Sequence, residues 1–239
     1  VSSGATPQNF TVNIRLNSTN VGTHFNWTLN CSDIRFADSG DSAIPHWTES
    51  CNASSSTASI WVNIPTNITT ANTSISLIYG TSNTTSASNG SKAFDYFNDF
   101  TGTVTPSSSW STYGTKRGWM LNTSKYVSAP TAGWSRSDNG LDEYLNLSVS
   151  SAYNLNLTFK TWVNSEGCCD YMRFSIGGVQ QFQTASTSSN WANYSYNISA
   201  SANPKLTWYF HSDGSVNLEN AFVDNVLIRK SYSPEPTYS

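Results

Sequence analysis

Fourteen asparagines stand in the Asn-x-Ser/Thr pattern that accepts an N-linked oligosaccharide: Asn9, Asn17, Asn26, Asn30, Asn52, Asn67, Asn72, Asn83, Asn89, Asn122, Asn146, Asn156, Asn193 and Asn197. The chain holds 26 Asn, 41 Ser and 27 Thr in 239 residues, and that composition alone would give about seven such tripeptides. Twice as many points to a heavily N-glycosylated, secreted protein of a cell surface, whose covalent partners are its own glycans. Four cysteines agree with an oxidising compartment. Cys31 and Cys51 flank the turn-rich Asp38-Ser-Gly-Asp41 and are expected to form a disulfide. Cys168 and Cys169 are adjacent, so they bridge each other, pair elsewhere or stay thiols. His24, His46 and His211 lack the spacing of zinc ligands, and no metal site is assigned.

Asp142 and Glu143 are neighbours and on a strand would face opposite ways, whereas glycoside hydrolysis needs two carboxyl groups about 5–9 Å apart across one sugar. No Gly-x-Ser-x-Gly elbow is present, and no enzyme is expected. Asp95, Asp99, Asp170 and Asp224 suit a structural calcium ion, against which stands a role as turn or cap residues or as partners of Arg173 and Arg229. No other cofactor is expected. Trp47, Trp110, Trp119, Trp134 and Trp191 sit in loop-like stretches and either offer a platform for sugar rings or, as the composition favours, cover sheet edges in a charge-poor protein, while Trp61, Trp162 and Trp208 read as core.

The elements that must position these groups are strands. Apolar residues alternate with polar ones in Phe10-Val12-Ile14-Leu16, Ile60-Val62-Ile64, Leu155-Leu157-Phe159, Met172-Phe174-Ile176 and Leu206-Trp208-Phe210, the period-two pattern of half-buried antiparallel strands. In Leu145-Asn146-Leu147, Leu155-Asn156-Leu157 and Tyr196-Asn197-Ile198 the acceptor asparagine lies between inward residues, so its side chain is expected on the solvent face. The predicted fold is all-β, two antiparallel jelly-roll-like β-sandwiches in tandem: residues 1–93 with a leading polar arm, 94–232, and a Pro-rich tail at 233–239.

Charged residues make up 11% of the chain, aromatic residues 13%, and the formal net charge is −3. That many rings argues against disorder, and scattered basic residues argue against nucleic acid. No apolar run exceeds three residues, so no membrane span is expected, and Val1 is expected to be a mature N-terminus.

Residues 9–93 resemble a domain of unknown function of archaeal and bacterial cell-surface proteins, through Asp33-Ile-Arg-Phe-Ala-Asp38, Pro45-His-Trp-Thr-Glu-Ser50, Ile60-Trp-Val-Asn-Ile-Pro65 and Ile78-Tyr-Gly-Thr-Ser82. That resemblance implies a small β-sandwich followed by a jelly roll, which would open here at Phe94-Asp-Tyr-Phe-Asn-Asp-Phe100. Residues 94–230 look like concanavalin-like or MAM-type jelly rolls, through Ser165 to Gly178, Trp208 to Gly214 and Ala221 to Ile228. Neither family brings a catalytic residue. The leading expectation is a non-enzymatic, archaeal-type surface glycoprotein that polymerises with its own copies into a filament, pilus-like fibre or surface layer. Phe10, Val12, Ile14 and Leu16 would act as a strand donated to a neighbouring subunit, or pair at home. The alternative is an adhesin or carbohydrate-binding ectodomain, with calcium as a candidate requirement.

Overall fold

The computed structural model describes residues 6–68, 73–81, 85–185, 187–215 and 219–236. The acceptors Asn72 and Asn83, the first five residues of the polar arm and the last three of the tail lie outside them. The chain divides into two compact units, residues 1–96 with 228–239 and residues 97–227.

In the first unit, β1 (Phe10–Asn17), β5 (Thr57–Ile64) and β4 (His46–Asn52) form one antiparallel sheet in the order β1-β5-β4, and β3 (Ala43–Ile44), β2 (Arg35–Ala37) and β6 (Ser76–Ile78) form another in the order β3-β2-β6. Leu16, Phe36, Ile44, Ala58, Ile60, Val62 and Ile64, drawn from both sheets, meet in one core with Phe25, Cys31 and Ile34. A disulfide joins Cys31 to Cys51 beside it. A single helical turn, α1 (Gly90–Ala93), is capped by Asn89, whose side chain accepts from the Lys92 amide.

β1 is seated at home. It pairs with β5 along its whole length, Phe10 opposite Ile64 through Asn17 opposite Thr57. Phe10 and Leu16 are buried, and Val12 and Ile14 pack partly buried against the core. The alternation read as a donor strand therefore fills the protein's own interior, because burying those four side chains locally carries no cost of association.

The expected division at residue 93, with the second domain reaching 232, is displaced at both ends. The chain leaves the first unit through β7 (Tyr96–Asn98) and returns to it on the last strand. Residues 228–230 are held there by backbone and charge. The Asp95 amide donates to the Ile228 carbonyl, the Lys230 amide to Asp95 Oδ2, and Lys230 Nζ to the Gln8 and Asn9 carbonyls. Arg229 lies over the Trp61 ring at 5.4 Å and pairs with Glu235 of the tail at 3.0 Å.

The second unit is a sandwich of two larger sheets. One runs β15-β12-β17-β10-β9, with β7 also on β17, and the other runs β14-β13-β16-β11-β8. These strands are β8 (Trp110–Gly114), β9 (Met120–Asn122), β10 (Ala132–Trp134), β11 (Leu141–Ser148), β12 (Leu155–Asn164), β13 (Tyr171–Ile176), β14 (Val179–Thr184), β15 (Ala192–Ile198), β16 (Lys205–Ser212) and β17 (Asn220–Lys230). Their inward residues are large and fully buried, with Leu145, Leu157, Phe174, Trp208 and Phe210 all at 0% exposure. Phe159 of one sheet packs on Phe174 and Trp208 of the other at 4.7 and 5.3 Å. Gly133 has to be glycine: a Cβ there would stand 2.9 Å from the Phe100 ring. Among the described residues no helix is long and apolar enough to cross a membrane.

Candidate functional site

Because side chains alternate along a strand, burying Leu141, Glu143, Leu145 and Leu147 turns Asp142, Tyr144 and Asn146 of β11 to the outer face. The same parity on β16 buries Leu206, Trp208 and Phe210 and turns Thr207, Tyr209 and His211 outward. On β13 it turns Tyr171 and Arg173 outward. Strand pairing then aligns these residues across the sheet. Tyr113 stands opposite Tyr144, Tyr144 opposite Tyr209, Tyr209 opposite Arg173, and Arg173 opposite Gln183. One row thus crosses all five strands, about 19 Å at the usual strand spacing. A second row beside it runs Asp142, His211, Tyr171.

The rings of the first row are stacked on one another. Tyr113 and Tyr144 lie 4.9 Å apart at 16°, and Tyr144 and Tyr209 4.6 Å apart at 27°. Their faces are therefore largely engaged with each other. Tyr113, at the end of the row on the edge strand, is 49% exposed. Arg173 covers Tyr171 and Tyr209 at 5.0 and 5.8 Å and donates to Gln183 Oε1 through Nη2 at 3.0 Å.

Asp142 ties the two rows together. Its Oδ1 accepts from the Tyr209 hydroxyl and lies 2.9 Å from His211 Nδ1. Partial burial works to raise the Asp142 pKa, but the Tyr209 and His211 bonds outweigh it and hold the carboxyl below its usual range. Burial and the bond to Asp142 push the Tyr209 phenol well above its ordinary value, and burial with the Asp142 charge raises Tyr144. Perturbed groups gathered on one face mark it as a functional candidate. Glu143, by contrast, is fully buried, with Oε1 accepting from the Lys116 amide at 2.5 Å. The two neighbouring carboxylates therefore do point to opposite faces and cannot act on one sugar.

The glycan acceptors are distributed unevenly. Asn156 and Asn197 are direct cross-strand partners on β12 and β15, Asn193 lies opposite Lys160 in the same pair, and Asn122 belongs to β9. All four are on the six-stranded sheet, exposed or half-buried. The fifth of this unit, Asn146, is on the tyrosine-bearing sheet and only 2% exposed. Its Oδ1 accepts from Thr207 Oγ1 at 2.9 Å, so the expectation that it stands free in solvent is corrected: strand parity sets the face but not what neighbours close over it. Of the first unit's acceptors, Asn9, Asn26, Asn30, Asn52, Asn67 and Asn89 are exposed and Asn17 is half-buried.

Three of the five loop-like tryptophans serve as cover rather than as a platform, and of the three read as core only Trp208 is fully buried, Trp61 and Trp162 being half-buried. Trp47, Trp110 and Trp119 are 6%, 5% and 2% exposed. Trp47 packs edge-on to Phe94 at 5.8 Å, Trp110 stacks on Trp208 at 6.0 Å, and Trp119 Nε1 donates to the Glu143 carbonyl. Trp134, Trp191 and Trp162 instead gather around Phe222 on the six-stranded sheet. Trp162 and Trp191, with Tyr126 and Asn190, line a shallow cavity of about 380 Å³, and Lys125 Nζ already sits 3.9 Å over the Trp162 ring.

The four aspartates read as a calcium set do not come together as one group. Asp95 binds Lys230, Asp99 accepts from Thr101, and Asp224 accepts the Val127 and Ser128 amides. Cys168 and Cys169 are bonded to each other.

Residues 30–113 match the family described as a domain of unknown function, DUF2341. The match overlaps residues 9–93, which resemble such a domain, and runs on to residue 113. No curated protein matches the chain. Among solved structures, the K1 cleaved adhesin domain of Lys-gingipain from Porphyromonas gingivalis W83 is 14% identical, covering 57% of this chain and 98% of its own, at a TM-score of 0.45. TmCBM61, solved with β-1,4-galactotriose, is 16% identical over 52% of this chain and 90% of its own, at 0.40. The C-terminal family 22 carbohydrate-binding module of Clostridium thermocellum Xyn10B is 11% identical over 57% of this chain and 94% of its own, at 0.38.

Proposed function

We propose that this is a non-enzymatic extracellular glycoprotein whose second unit recognises carbohydrate on the outer face of the β14-β13-β16-β11-β8 sheet. The observation that carries this reading is the continuous row Tyr113, Tyr144, Tyr209, Arg173 and Gln183, one residue from each strand. A sugar chain needs a long, shallow surface with hydrogen-bonding groups at short intervals and some apolar area. Phenol oxygens, the Arg173 guanidinium, the Gln183 amide and the ionised Asp142 supply the first, and the exposed Tyr113 ring supplies the second. The acceptor asparagines support the same face from the other side. Glycans on Asn122, Asn156, Asn193 and Asn197 would crowd the opposite sheet and leave this one open.

The test is retention of the intact protein on a panel of immobilised glycans. Tyr144→Ala and Arg173→Ala should each weaken binding by about tenfold, the equivalent of about 1.4 kcal/mol, with melting almost unchanged. If no glycan is retained, the reading fails. If both variants bind normally while Trp191→Ala does not, recognition belongs to the tryptophan cavity.

A second reading, a polymerising surface subunit, is favoured by the position of β1 at the edge of its sheet, where a neighbouring chain can add a strand. Uniform fibres of native material under the electron microscope would support it, and monodisperse particles would reject it. Intact-mass measurement tests the sugar coat in either case: a mass equal to the bare 26.1 kDa chain would refute it.

A further inference from the structure

At one end of the second unit, the loop between β12 and β13 meets the residues that follow β16. Glu166, Asp170 and Asp213 each bring one carboxylate oxygen to within 4.8 Å of the other two. Three features set this group apart from a solvated acidic patch. Asp170 is completely buried, with Oδ1 accepting the Asp213 amide at 2.7 Å and Oδ2 left without any partner. Glu219, 4% exposed, reaches the same loop: its Oε1 accepts the Glu166 amide, and its Oε2 also lacks a partner. Among the described residues no lysine or arginine forms an ion pair with any of the four.

A buried carboxylate oxygen without a hydrogen bond or counter-charge costs free energy that folding does not otherwise recover. A cation removes this cost.

We infer that Glu166, Asp170 and Asp213 bind a calcium ion. The ligand set is all oxygen, because Cys168 and Cys169, which lie between Glu166 and Asp170, are bonded to each other and offer no thiolate. Oxygens around one Ca²⁺ at about 2.4 Å can be no more than about 4.8 Å apart, whereas Mg²⁺ demands a smaller and more regular shell. The position of the loops explains what the ion does. Tyr171 follows Asp170 directly, and His211 precedes Asp213 by two residues, so the ion fixes the ends of β13 and β16.

The experiment is calorimetric titration of CaCl2 into the intact, EDTA-dialysed protein, with MgCl2 in parallel and thermal melting in both states. One saturable equivalent of Ca²⁺ and a higher melting temperature are expected, with binding weakened at least about tenfold by Asp170→Asn and by Asp213→Asn. Asp213 is exposed, so its variant remains informative if the buried substitution fails to fold. Absence of a saturable calcium heat, a preference for Mg²⁺, or calcium binding that survives Asp213→Asn would overturn the assignment.

Discussion

The two units bury apolar surface in different ways. The first has short sheets of three strands each, a core of mostly aliphatic residues and a disulfide across a twenty-residue separation. The second has long strands in sheets of five and six and a core built on stacked and edge-on rings, and its disulfide joins adjacent residues. A small domain buries a lower fraction of its chain and so leans more on covalent closure. A larger sandwich can rely on packing.

Breaking the packing should give the largest effect. Trp208 is fully buried against Trp110, Phe159 and Phe174, and its indole nitrogen has no hydrogen-bond partner. Trp208→Ala should destabilise the second unit by about 3–5 kcal/mol and leave the first unit's unfolding unchanged. Trp208→Phe should cost less, because the smaller cavity is offset by loss of an unsatisfied N–H. Denaturant unfolding followed by NMR signals from β5 and β16 measures both units in one sample.

Breaking the covalent closure should act on the other unit. In the chain-entropy account, the Cys31–Cys51 loop contributes about 3 kcal/mol, whereas a bridge between adjacent residues closes almost no chain. Cys31→Ser with Cys51→Ser should therefore lower the first unit by about 3 kcal/mol. Cys168→Ser with Cys169→Ser should leave the second nearly unchanged. Equal losses would show that the vicinal bridge has a structural role beyond loop closure.

The division between what is readable in the chain and what is not runs along the same physics. Alternation is local, so the strands at Leu155–Phe159, Met172–Ile176 and Leu206–Phe210 and the all-β class follow from a few adjacent residues. Pairing is not local. The row that defines the candidate site joins positions 113, 144, 209, 173 and 183, and no spacing within a strand reveals that register. Tryptophans flanked by Ser and Gly look exposed, yet Trp110 opens a strand and Trp119 is held by a main-chain carbonyl of β11. Asn146 has the parity of a surface residue, but Thr207, 61 positions away, closes over it. Asp170 could be named from the sequence as a calcium candidate. Its partners Glu166 and Asp213 emerge only when two loops meet.

The smallest effect separates the units by sign. His46 in the first unit is buried beside Arg35, and burial, with that charge, lowers its pKa from 6.5 to about 4. Asp224 in the second unit is raised from 3.8 to about 6 by burial, which the Ser128 and Val127 amides and the Asn225 amide only partly relieve. Stability falls with acidification where the unfolded state binds more protons and rises where the native state does. Between pH 6 and 5 the unfolded His46 is mostly protonated and the native one is not, so its contribution is lost as the pH drops. Over the same unit the native Asp224 takes up a proton and the unfolded one does not, so its burial cost is relieved. Each change amounts to about 1 kcal/mol. Asp95 and Asp170, both raised by burial, shift the totals, so single variants isolate the two groups. His46→Gln should remove an acid-induced loss from the first unit, and Asp224→Asn should remove an acid-induced gain from the second, measured as the change in unfolding free energy of each unit from pH 6 to pH 5. Slopes of the same sign in the two variant-minus-wild-type differences would mean that the buried histidine and the buried aspartate do not titrate in opposite senses.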